Sequence, residues 1–519
     1  MADYIYTMEL RLTPGQLKGV NLIQEISRAA GMNVYLTGGA VRDIIAGRSI
    51  RDLDFTVQGN PLKLQKDLER AGARIASVSE DEFALHLVLP GNVRAEVSMA
   101  RTEKYEKMGR PPIVTPATIY EDLRRRDFTM NAMALSLNDG SRGLLLDPAN
   151  GVADIEAKLV RVLHNYAFLE DPSRLIRATR FCARLDWPLE ERTQARYAAA
   201  VENNYIDHVS RHAAGHEAGA LAYEDDPLKV VRALEKEGWL KVLHQHWTLA
   251  KIDSDGLHDL MRVRQQMVDL GYAPDASSAV MYFLTRKMPE KEIADLRRAI
   301  PRKDLVEAWR DLEVRSKDFA KKLTGKEAST PSKTWLLLSQ APQELVLYLA
   351  VTARQQAVEQ KIKNFLTKWR QVQQKLPLPE MAELLITPQL PIYPKLANDV
   401  FLMMLDGKMR SHTEIMKYLK PFAPPPPPPP PAPKRGRAAK AAADAAAAAA
   451  AAEQAKKKGK GGKAAAVPTK PAAPAPAATK KAESKPAKVA APEPPKALRK
   501  ATPKPAKKAP PKKAKGRKK

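Results

Sequence analysis

The chain has 519 residues, with 86 Lys and Arg against 59 Asp and Glu, a formal net charge of +27. Residues 423–519 hold 26 of the basic and 4 of the acidic groups, a net of +22, so the other 422 residues carry only +5. A strongly basic balance is typical of proteins that bind nucleic acid or an anionic surface. Because the excess belongs to one terminal segment, it does not establish such a partner for the rest of the chain.

The composition also excludes several classes of protein. The single cysteine, Cys182, rules out a disulfide framework and a cysteine-based zinc site within one chain. The first residues lack a basic segment followed by an apolar one. No apolar run reaches the roughly 18 residues of a membrane span. We therefore expect a cytoplasmic protein with no membrane partner.

The predicted elements change type along the chain. The first 150 residues mix short β-type runs with helical stretches, and strands are predicted at 34–36, 52–57, 83–89 and 94–99. Hairpin turns are predicted at Pro-Gly-Asn 90–92 and at Asn-Asp-Gly 138–140, the second between two further strands at 132–137 and 143–146. From about 151 to 419 the apolar spacing is helical, with long stretches at 228–240, 344–376 and 398–405.

These patterns predict an α/β head, with a small mixed sheet and helices, followed by an all-α remainder. The proposed segments are an α/β head at 1–150, a helical neck at 151–215, a helical body at 216–422 and a disordered tail at 423–519. The tail is predicted to be disordered because its Pro, Ala and Lys repeats cannot form a core. Within it, eight prolines at 424–431 predict a stiff polyproline II spacer, and the alanine run 445–452 predicts partial helix.

The role of the basic tail has two interpretations. It can attract RNA without regard to sequence, through a contribution that weakens steeply with salt. It can equally be a solubilising appendage with no specific partner. The tail contains no aromatic residue, so bases cannot stack on aromatic rings there.

A pair of glycines precedes a predicted helix in the head. Gly38 and Gly39 follow the strand at 34–36, a helix is predicted at 40–46, and Gly47 is placed to end it. Glycines before a helix N-terminus allow backbone N–H groups to approach a phosphate, and Arg42 in the first turn can add a charge-assisted contact. A tight turn with no ligand is the alternative for the glycine pair alone.

Two carboxylates follow this loop. Asp52 and Asp54 are two residues apart on a predicted strand, so both side chains project from one face while Leu53 and Phe55 face the core. Carboxylates about 7 Å apart repel one another unless a cation lies near them. The arrangement suits a two-metal site for in-line displacement at phosphorus. A solvated strand edge is the alternative, and the nearby glycine loop makes it less favoured.

The segment 36–57 resembles the catalytic signature of the class II tRNA nucleotidyltransferase and bacterial poly(A) polymerase family. Further similar stretches follow in the same order, namely RTEKY at 101–105 with GRPP at 109–112, EDLRRRDFTMNA at 121–132, DPANGVAD at 147–154 and EDPSRLIRATRF at 170–181. Together they cover residues 34–190, with weaker similarity through the helical body.

The resemblance implies roles for residues of the head. It implies that Asp52 and Asp54 are catalytic and bind Mg²⁺. It also implies that a set of residues contacts the incoming nucleotide: Gly38, Gly39, Arg42, Arg126, Asp127 and Asn131. Glu96 occupies the place of a third carboxylate, and an edge-strand charge is the alternative for it.

The neck carries an amphipathic helix with a basic stripe. Asp171 suits the N-cap of this helix and Pro172 suits its first turn. Arg174, Arg177, Arg180 and Arg184 fall within about 120° of one another, beside an apolar arc. The resemblance implies that Asp171 and Arg174 read the edge of the incoming base, and that Arg177 and Arg180 hold the nucleotide. A solvated basic face is the alternative.

These observations lead to a functional prediction. The resemblance implies a template-independent RNA nucleotidyltransferase that adds CCA to the 3′ end of tRNA from CTP and ATP, with the helical body binding tRNA through shape and backbone contacts. Alternatives within the class are an A-adding enzyme, a poly(A) polymerase and a CC-adding form. An alternative from another class is a non-catalytic RNA-binding homologue.

Overall fold

The computed structural model describes residues 4–425 and the helical turn 445–447. The tail beyond residue 425 lies outside the described residues, apart from 445–447. The predictions of disorder, of the polyproline spacer and of helix in the rest of the alanine run therefore fall almost wholly outside them. Ala445–447 are helical, as predicted for part of the alanine run. Within the described residues, no helix is both long enough and apolar enough to cross a membrane.

The head contains nine strands and five helices. The strands are β1 Asn33–Thr37, β2 Leu53–Gln58, β3 Arg74–Ser79, β4 Ala84–Leu89, β5 Val93–Met99, β6 Arg101–Lys104, β7 Ile113–Pro116, β8 Ala134–Ser136 and β9 Leu145–Leu146. The helices are α1 Tyr4–Arg11, α2 Pro14–Ala29, α3 Gly38–Ile45, α4 Gln65–Arg70 and α5 Ile119–Arg125. The predicted mixed α/β head is therefore confirmed.

Seven of the strands form one mixed sheet in the order β3-β4-β5-β2-β1-β8-β9. Strands β2 and β5 pair in parallel, and the other neighbours pair antiparallel. All six predicted strands are present, and both predicted turns join antiparallel neighbours. At the first turn Gly91 has φ +84° and Asn92 has φ +61°, a left-handed conformation that these two residue types favour.

Three strands were not predicted. Strand β3 forms the edge of the large sheet, and β6 and β7 pair with each other in a separate two-stranded ribbon. The loop of this ribbon contacts the neck closely. A Cβ on Gly109 would lie 1.8 Å from the carbonyl oxygen of His208, and the glycine has φ +68°. Only glycine fits this contact.

The residues from Gly151 to Leu419 are mostly helical, as predicted. The neck contains α6 Gly151–Glu156, α7 Ala167–Glu170, α8 Ser173–Leu185, α9 Glu191–Glu202 and α10 Arg211–Ala220. The body follows with α11 Pro227–Glu237, α12 Trp239–Leu243, α13 Ser254–Asp269, α14 Ser277–Thr285, α15 Glu290–Ala299, α16 Lys303–Thr324, α17 Pro331–Gln340, α18 Gln343–Thr352, α19 Gln356–Leu366, α20 Lys368–Gln374, α21 Leu378–Glu383, α22 Tyr393–Leu405 and α23 His412–Leu419.

Two long helical stretches are divided in the structure. The stretch 228–240 breaks at Gly238, which has φ +83° and ends α11. The stretch 344–376 forms three helices, α18, α19 and α20. A hydrophobic cluster runs from Met8 to Phe401 through head, neck and body, and a smaller one gathers residues between Met381 and Leu419. The proposed boundaries at 150, 215 and 422 stay predictions.

Candidate active site

The glycine pair lies against one of the predicted carboxylates. Helix α3 begins at Gly38, two residues earlier than predicted, and Gly47 follows its end with φ +69°. Gly38 has φ +61°, and a Cβ on either Gly38 or Gly39 would lie 3.4 Å from Oδ2 of Asp54. The glycines thus bring the backbone at the start of a helix close to Asp54, which a larger residue would hinder.

Three carboxylates of the head, Asp52, Asp54 and Glu96, line one cleft of about 570 Å³ together with carboxylates of the helical body. Asp52 directly precedes β2, and Asp54 lies within it, while Leu53 and Phe55 are fully buried on the other face, as predicted. Glu96 lies opposite Asp54 in the parallel pair of β2 and β5. Strand β5 lies between β4 and β2, so the interpretation of Glu96 as an edge-strand charge is wrong.

The carboxylates differ in their affinity for protons. Burial and the negative charges of Glu96 and Asp52 raise the pKa of Asp54 to about 7. Burial also disfavours the charged form of Asp52, but the nearby positive charge of Arg94 more than offsets it and lowers the pKa of Asp52. Among the three carboxylates of the head, Asp54 is thus the one whose pKa is raised, whereas the pKa values of Asp52 and Glu96 are lowered.

The carboxylates suit a divalent cation by charge and by atom type. No three His, Cys, Asp or Glu side chains within the part of the chain that the structure describes converge as a ready-made metal site. However, the raised pKa of Asp54 marks a concentration of negative charge that a cation would neutralise. Carboxylate oxygens are also the ligands that Mg²⁺ prefers. Asp52 and Asp54 thus fit the predicted role, although Asp52 also binds Arg94.

Two of the predicted arginines lie close to this site. Arg42 is buried, binds both oxygens of Asp43 at 2.9 Å and donates to Oδ1 of Asn131 at 2.7 Å. Arg126 donates to Asp122 at 2.8 Å, and its Nη1 would lie 3.2 Å from a Cβ on Gly38. The positive charges of Arg126 and Arg42 both act on Asp54. The structure therefore places them beside the predicted catalytic carboxylate.

The predicted base-reading pair lies at the start of α8. Asp171 accepts hydrogen bonds from the backbone N and the hydroxyl of Ser173, so it caps the helix. Nε of Arg174 is 3.9 Å from Oδ2 of Asp171. Arg174 also donates to the carbonyl oxygens of Ala167 and Arg125. The side chain of Asp171 is 28% exposed and that of Arg174 only 5%, so Asp171 is the more accessible of the two.

The other arginines of α8 belong to a ladder of alternating charges. Arg177 binds Asp127 at 2.7 Å and Glu217 at 3.0 Å, and Arg180 binds Glu217 at 3.1 Å and Glu224 at 2.7 Å. We call these five residues the charge ladder. Arg174 and Arg180 are buried, so the interpretation of this stripe as a solvated basic face is wrong for them. The carboxylates that neutralise these arginines all lie outside α8: Asp127 belongs to the head, and Glu217 and Glu224 follow the helix along the chain.

The charge ladder begins at a predicted head residue. Asn131 accepts from Arg42 at 2.7 Å and donates to Asp127 at 3.2 Å. Burial alone would raise the pKa of Asp127, but the charge and hydrogen bonds of Arg177 lower it to about 2. Asp127 is thus a fixed anion that joins the head to the neck. Arg177 and Arg180 already have carboxylate partners, and their predicted contacts with a nucleotide stay predictions.

Several residues of the site escaped the sequence reasoning. Asp122 is fully buried and holds both Arg125 and Arg126. Asp122 lies within the 121–132 motif, so the motif itself indicates that this residue belongs to the site. Glu217 and Arg94 have no local signal, because each acquires its role only through contacts with distant parts of the chain.

Comparisons with known proteins agree with this geometry. Residues 34–161 match the Poly A polymerase head domain. The chain is 38% identical over 233 residues to an A-adding tRNA nucleotidyltransferase of Aquifex aeolicus, covering 43% of this chain and 28% of the relative. It is 27% identical over 395 residues to an A-adding tRNA nucleotidyltransferase of Geobacter sulfurreducens, covering 74% and 44%. It is 32% identical over 217 residues to a multifunctional CCA protein of Verminephrobacter eiseniae, covering 41% and 50%.

The aligned part spans half or less of the length of each of these relatives. The family model covers the whole of the glycine loop, the carboxylates and the 121–132 motif. The resemblance inferred from the motifs is confirmed: residues 34–161 match the Poly A polymerase head domain, and the chain is similar to tRNA nucleotidyltransferases over part of their length.

Proposed function

We propose that the protein adds nucleotides to the 3′ end of tRNA without a nucleic-acid template, using CTP and ATP to complete the CCA sequence. The observation that supports this most directly is the meeting of three features around the central strands β1, β2 and β5. These are the glycine loop before α3, the carboxylates Asp52, Asp54 and Glu96, and the guanidinium of Arg126. Such a set suits the handling of a triphosphate beside a cation.

The reaction transfers a nucleotidyl group. The 3′-hydroxyl oxygen of tRNA forms a bond to the α-phosphorus, the bond from that phosphorus to the bridging oxygen breaks, and pyrophosphate leaves with its electron pair. The hydroxyl proton passes to solvent or to a nearby base. Mg²⁺ held by Asp52 and Asp54 would supply Lewis acidity to the phosphate oxygens.

The chain's own residues would orient the nucleotide. The backbone N–H of Gly38 donates to the carbonyl oxygen of Met133 at 3.3 Å, whereas the N-cap residue Thr37 makes no side-chain cap bond to the first turn of α3. The backbone N–H of Gly39 would donate to the triphosphate, with Arg126 adding charge. In the neck, Asp171 would accept a hydrogen bond from the exocyclic amino group of the base, and Arg174 would donate one to a ring or carbonyl acceptor.

An enzyme restricted to adding A is a second candidate. Two of the relatives are A-adding tRNA nucleotidyltransferases, and the alignment to the one from Geobacter sulfurreducens covers 74% of this chain. The carboxylates and the glycine loop serve either reaction equally, because both use the same bond-forming step. Only the choice of nucleotide separates the two candidates.

Product sequencing separates these functions. The full chain is incubated with Mg²⁺, with CTP, ATP or both, and with tRNA transcripts that end at the discriminator base, at C or at CC. Complete CCA on all three supports the first proposal. A added only to the CC transcript supports the A-adding candidate, C addition alone supports a CC-adding form, and a long A tail supports a poly(A) polymerase. No incorporation with retained tRNA binding would support a non-catalytic homologue.

Matched acidic variants test the catalytic assignment. Asp52→Ala and Asp54→Ala should each abolish incorporation while the circular dichroism spectrum stays unchanged. Asp311→Ala removes another carboxylate that lines the same cleft but pairs with Arg310 on the surface. It should retain activity. Appreciable incorporation by Asp54→Ala, or an equal loss in Asp311→Ala, would contradict the assignment.

We also infer that residues 423–519 attract RNA through charge, as part of the same function. The support is the net of +22 in this segment. Truncation after residue 425 should weaken tRNA binding and reduce the slope of log affinity against log salt. An unchanged slope would favour the solubilising role.

A further inference from the structure

Arg94 connects a predicted catalytic carboxylate to the helical body. Its Nε donates to Oδ1 of Asp52 at 2.7 Å, and its Nη1 lies 3.5 Å from Oδ1 of Asp275. The same guanidinium stacks over the ring of Tyr223, 4.7 Å from its centroid. Asp52 belongs to the head, whereas Tyr223 and Asp275 come from the body side of the cleft. One side chain thus contacts both walls.

A guanidinium and a divalent cation compete for the same carboxylate. Arg94 occupies one oxygen of Asp52, and its positive charge repels any cation that approaches Asp52 and Asp54. For a cation to use both oxygens of Asp52, the guanidinium must move away. Arg94 lies on β5, two residues from Glu96, so its backbone is fixed within the sheet and only its side chain can move.

The body offers a place for the displaced guanidinium. Oδ1 of Asp275 also accepts a hydrogen bond from the backbone N of Ser277 at 2.9 Å, which holds the carboxylate at the start of α14. The ring of Tyr223 is a second fixed partner, and Arg302 contacts the same ring at 5.1 Å. Because Arg94 already touches Asp275 and Tyr223, a small side-chain rotation exchanges one carboxylate for the other.

We propose that Arg94 is a positioning residue that competes with the divalent cation for Asp52, and that Asp275 and Tyr223 receive its guanidinium when the cation binds. The proposal rests on the proposed function only in assigning the cation to Asp52 and Asp54. It links the placement of the helical body to cation affinity in the head. A movement of the body that withdraws Asp275 would leave Arg94 on Asp52 and weaken cation binding.

The test measures Mn²⁺ binding directly, by the electron paramagnetic resonance signal of free Mn²⁺, with the full chain and with no nucleotide or RNA. Arg94→Gln should lower the Kd for Mn²⁺ by about tenfold, because a competing charge is removed. Arg74→Gln is the matched control, since Arg74 lines the same cleft but is exposed. It should change the Kd by about twofold or less. An unchanged Kd in Arg94→Gln, or an equal effect of Arg74→Gln, would overturn the proposal.

Asp275→Asn tests the exchange itself. Asparagine keeps the acceptor for the Ser277 backbone and removes the charge that receives Arg94. The Kd for Mn²⁺ should therefore rise by several-fold in Asp275→Asn, and the same change should have no effect when added to Arg94→Gln. If Asp275→Asn raises the Kd equally in both backgrounds, Asp275 acts on the cation without Arg94 and the exchange is refuted.

Two further variants keep the outcome clear. Arg94→Lys retains the charge but lacks the planar group that contacts Asp52, Asp275 and the ring together. Its Kd for Mn²⁺ should therefore lie between that of the unmodified chain and that of Arg94→Gln. It also serves if Arg94→Gln does not fold. Asp54→Asn should abolish Mn²⁺ binding, so the signal of free Mn²⁺ should stay at its protein-free level; binding that survives the substitution would overturn the assignment of the site. Since binding is measured without incorporation, a protein inactive on tRNA but responsive to Arg94→Gln would refute the proposed function and leave this inference standing.

Discussion

Asp54→Asn should stabilise the head at alkaline pH when divalent cations are removed by chelation. The folded protein raises the pKa of Asp54 from 3.8 to about 7, chiefly by burial and then by the charges of Glu96 and Asp52. Between these two pH values the folded state binds more protons at Asp54 than the unfolded state does. Stability is therefore lost as the pH rises, and the loss is complete above about pH 7.

The magnitude follows from the size of the shift. A change from 3.8 to about 7 is about 3 pKa units, and each unit corresponds to about 1.36 kcal/mol, which gives about 4 kcal/mol at pH 8. At pH 5 the loss in the free energy of unfolding is only about 1.6 kcal/mol, because the unfolded carboxylate is ionised while the folded one is still protonated. Asparagine has nearly the same shape and carries no charge, so Asp54→Asn avoids this loss of stability at both pH values.

Hydrogen exchange measures this effect locally. Peptides from β2 should gain protection in Asp54→Asn relative to the unmodified chain, compared at the same pH and in the presence of a chelator. The gain should be about 100-fold larger at pH 8 than at pH 5, since about two pKa units separate the losses of stability at these two pH values. An equal gain at both pH values would show that the substitution acts through packing. No gain at pH 8 would refute the reasoning.

Three other predictions follow from the same contacts. Glu96→Gln removes the negative charge that, after burial, contributes most to the raised pKa of Asp54. The pKa of Asp54 should therefore fall by about one unit, and the pH midpoint of Mn²⁺ binding should fall with it. An unchanged midpoint contradicts this. Asp122→Asn weakens the hold on Arg126, so the KM for nucleotide should rise about tenfold with a smaller change in kcat, as initial rates would show. Arg177→Met removes the arginine bonded to Asp127 and one of the two bonded to Glu217, so urea unfolding should show a loss of about 3 to 5 kcal/mol in the free energy of unfolding, and a loss under 1 kcal/mol contradicts this.

The sequence predicted those parts of the site that depend on neighbours along the chain. The glycine pair, the alternation at Asp52 and Asp54, and the capping role of Asp171 are all local patterns, and each has the expected geometry. The strands that carry them were also predicted, because apolar alternation and turn residues are strong there. The family motifs added roles that no local pattern contains.

The parts that escaped prediction depend on long-range pairing. Glu96 becomes a neighbour of Asp54 only because β2 and β5 pair in parallel, and a single sequence does not reveal which strands are adjacent. The buried state of Arg180 depends on Glu217 and Glu224, which lie 37 and 44 residues further along the chain. Strand β3 has weak apolar alternation and its residues are mostly half-buried, so its pattern resembled a loop.

The charge ladder has a consequence for how this protein can change over generations. Each of its members is bonded to at least one oppositely charged neighbour, so the loss of one removes a charged partner from at least one other member. Replacing a whole pair by apolar residues of similar volume is far less harmful than replacing either member alone. Asp127, Arg177, Glu217, Arg180 and Glu224 are therefore expected to be inherited as a block, with viable descendants differing at two or more of these positions together.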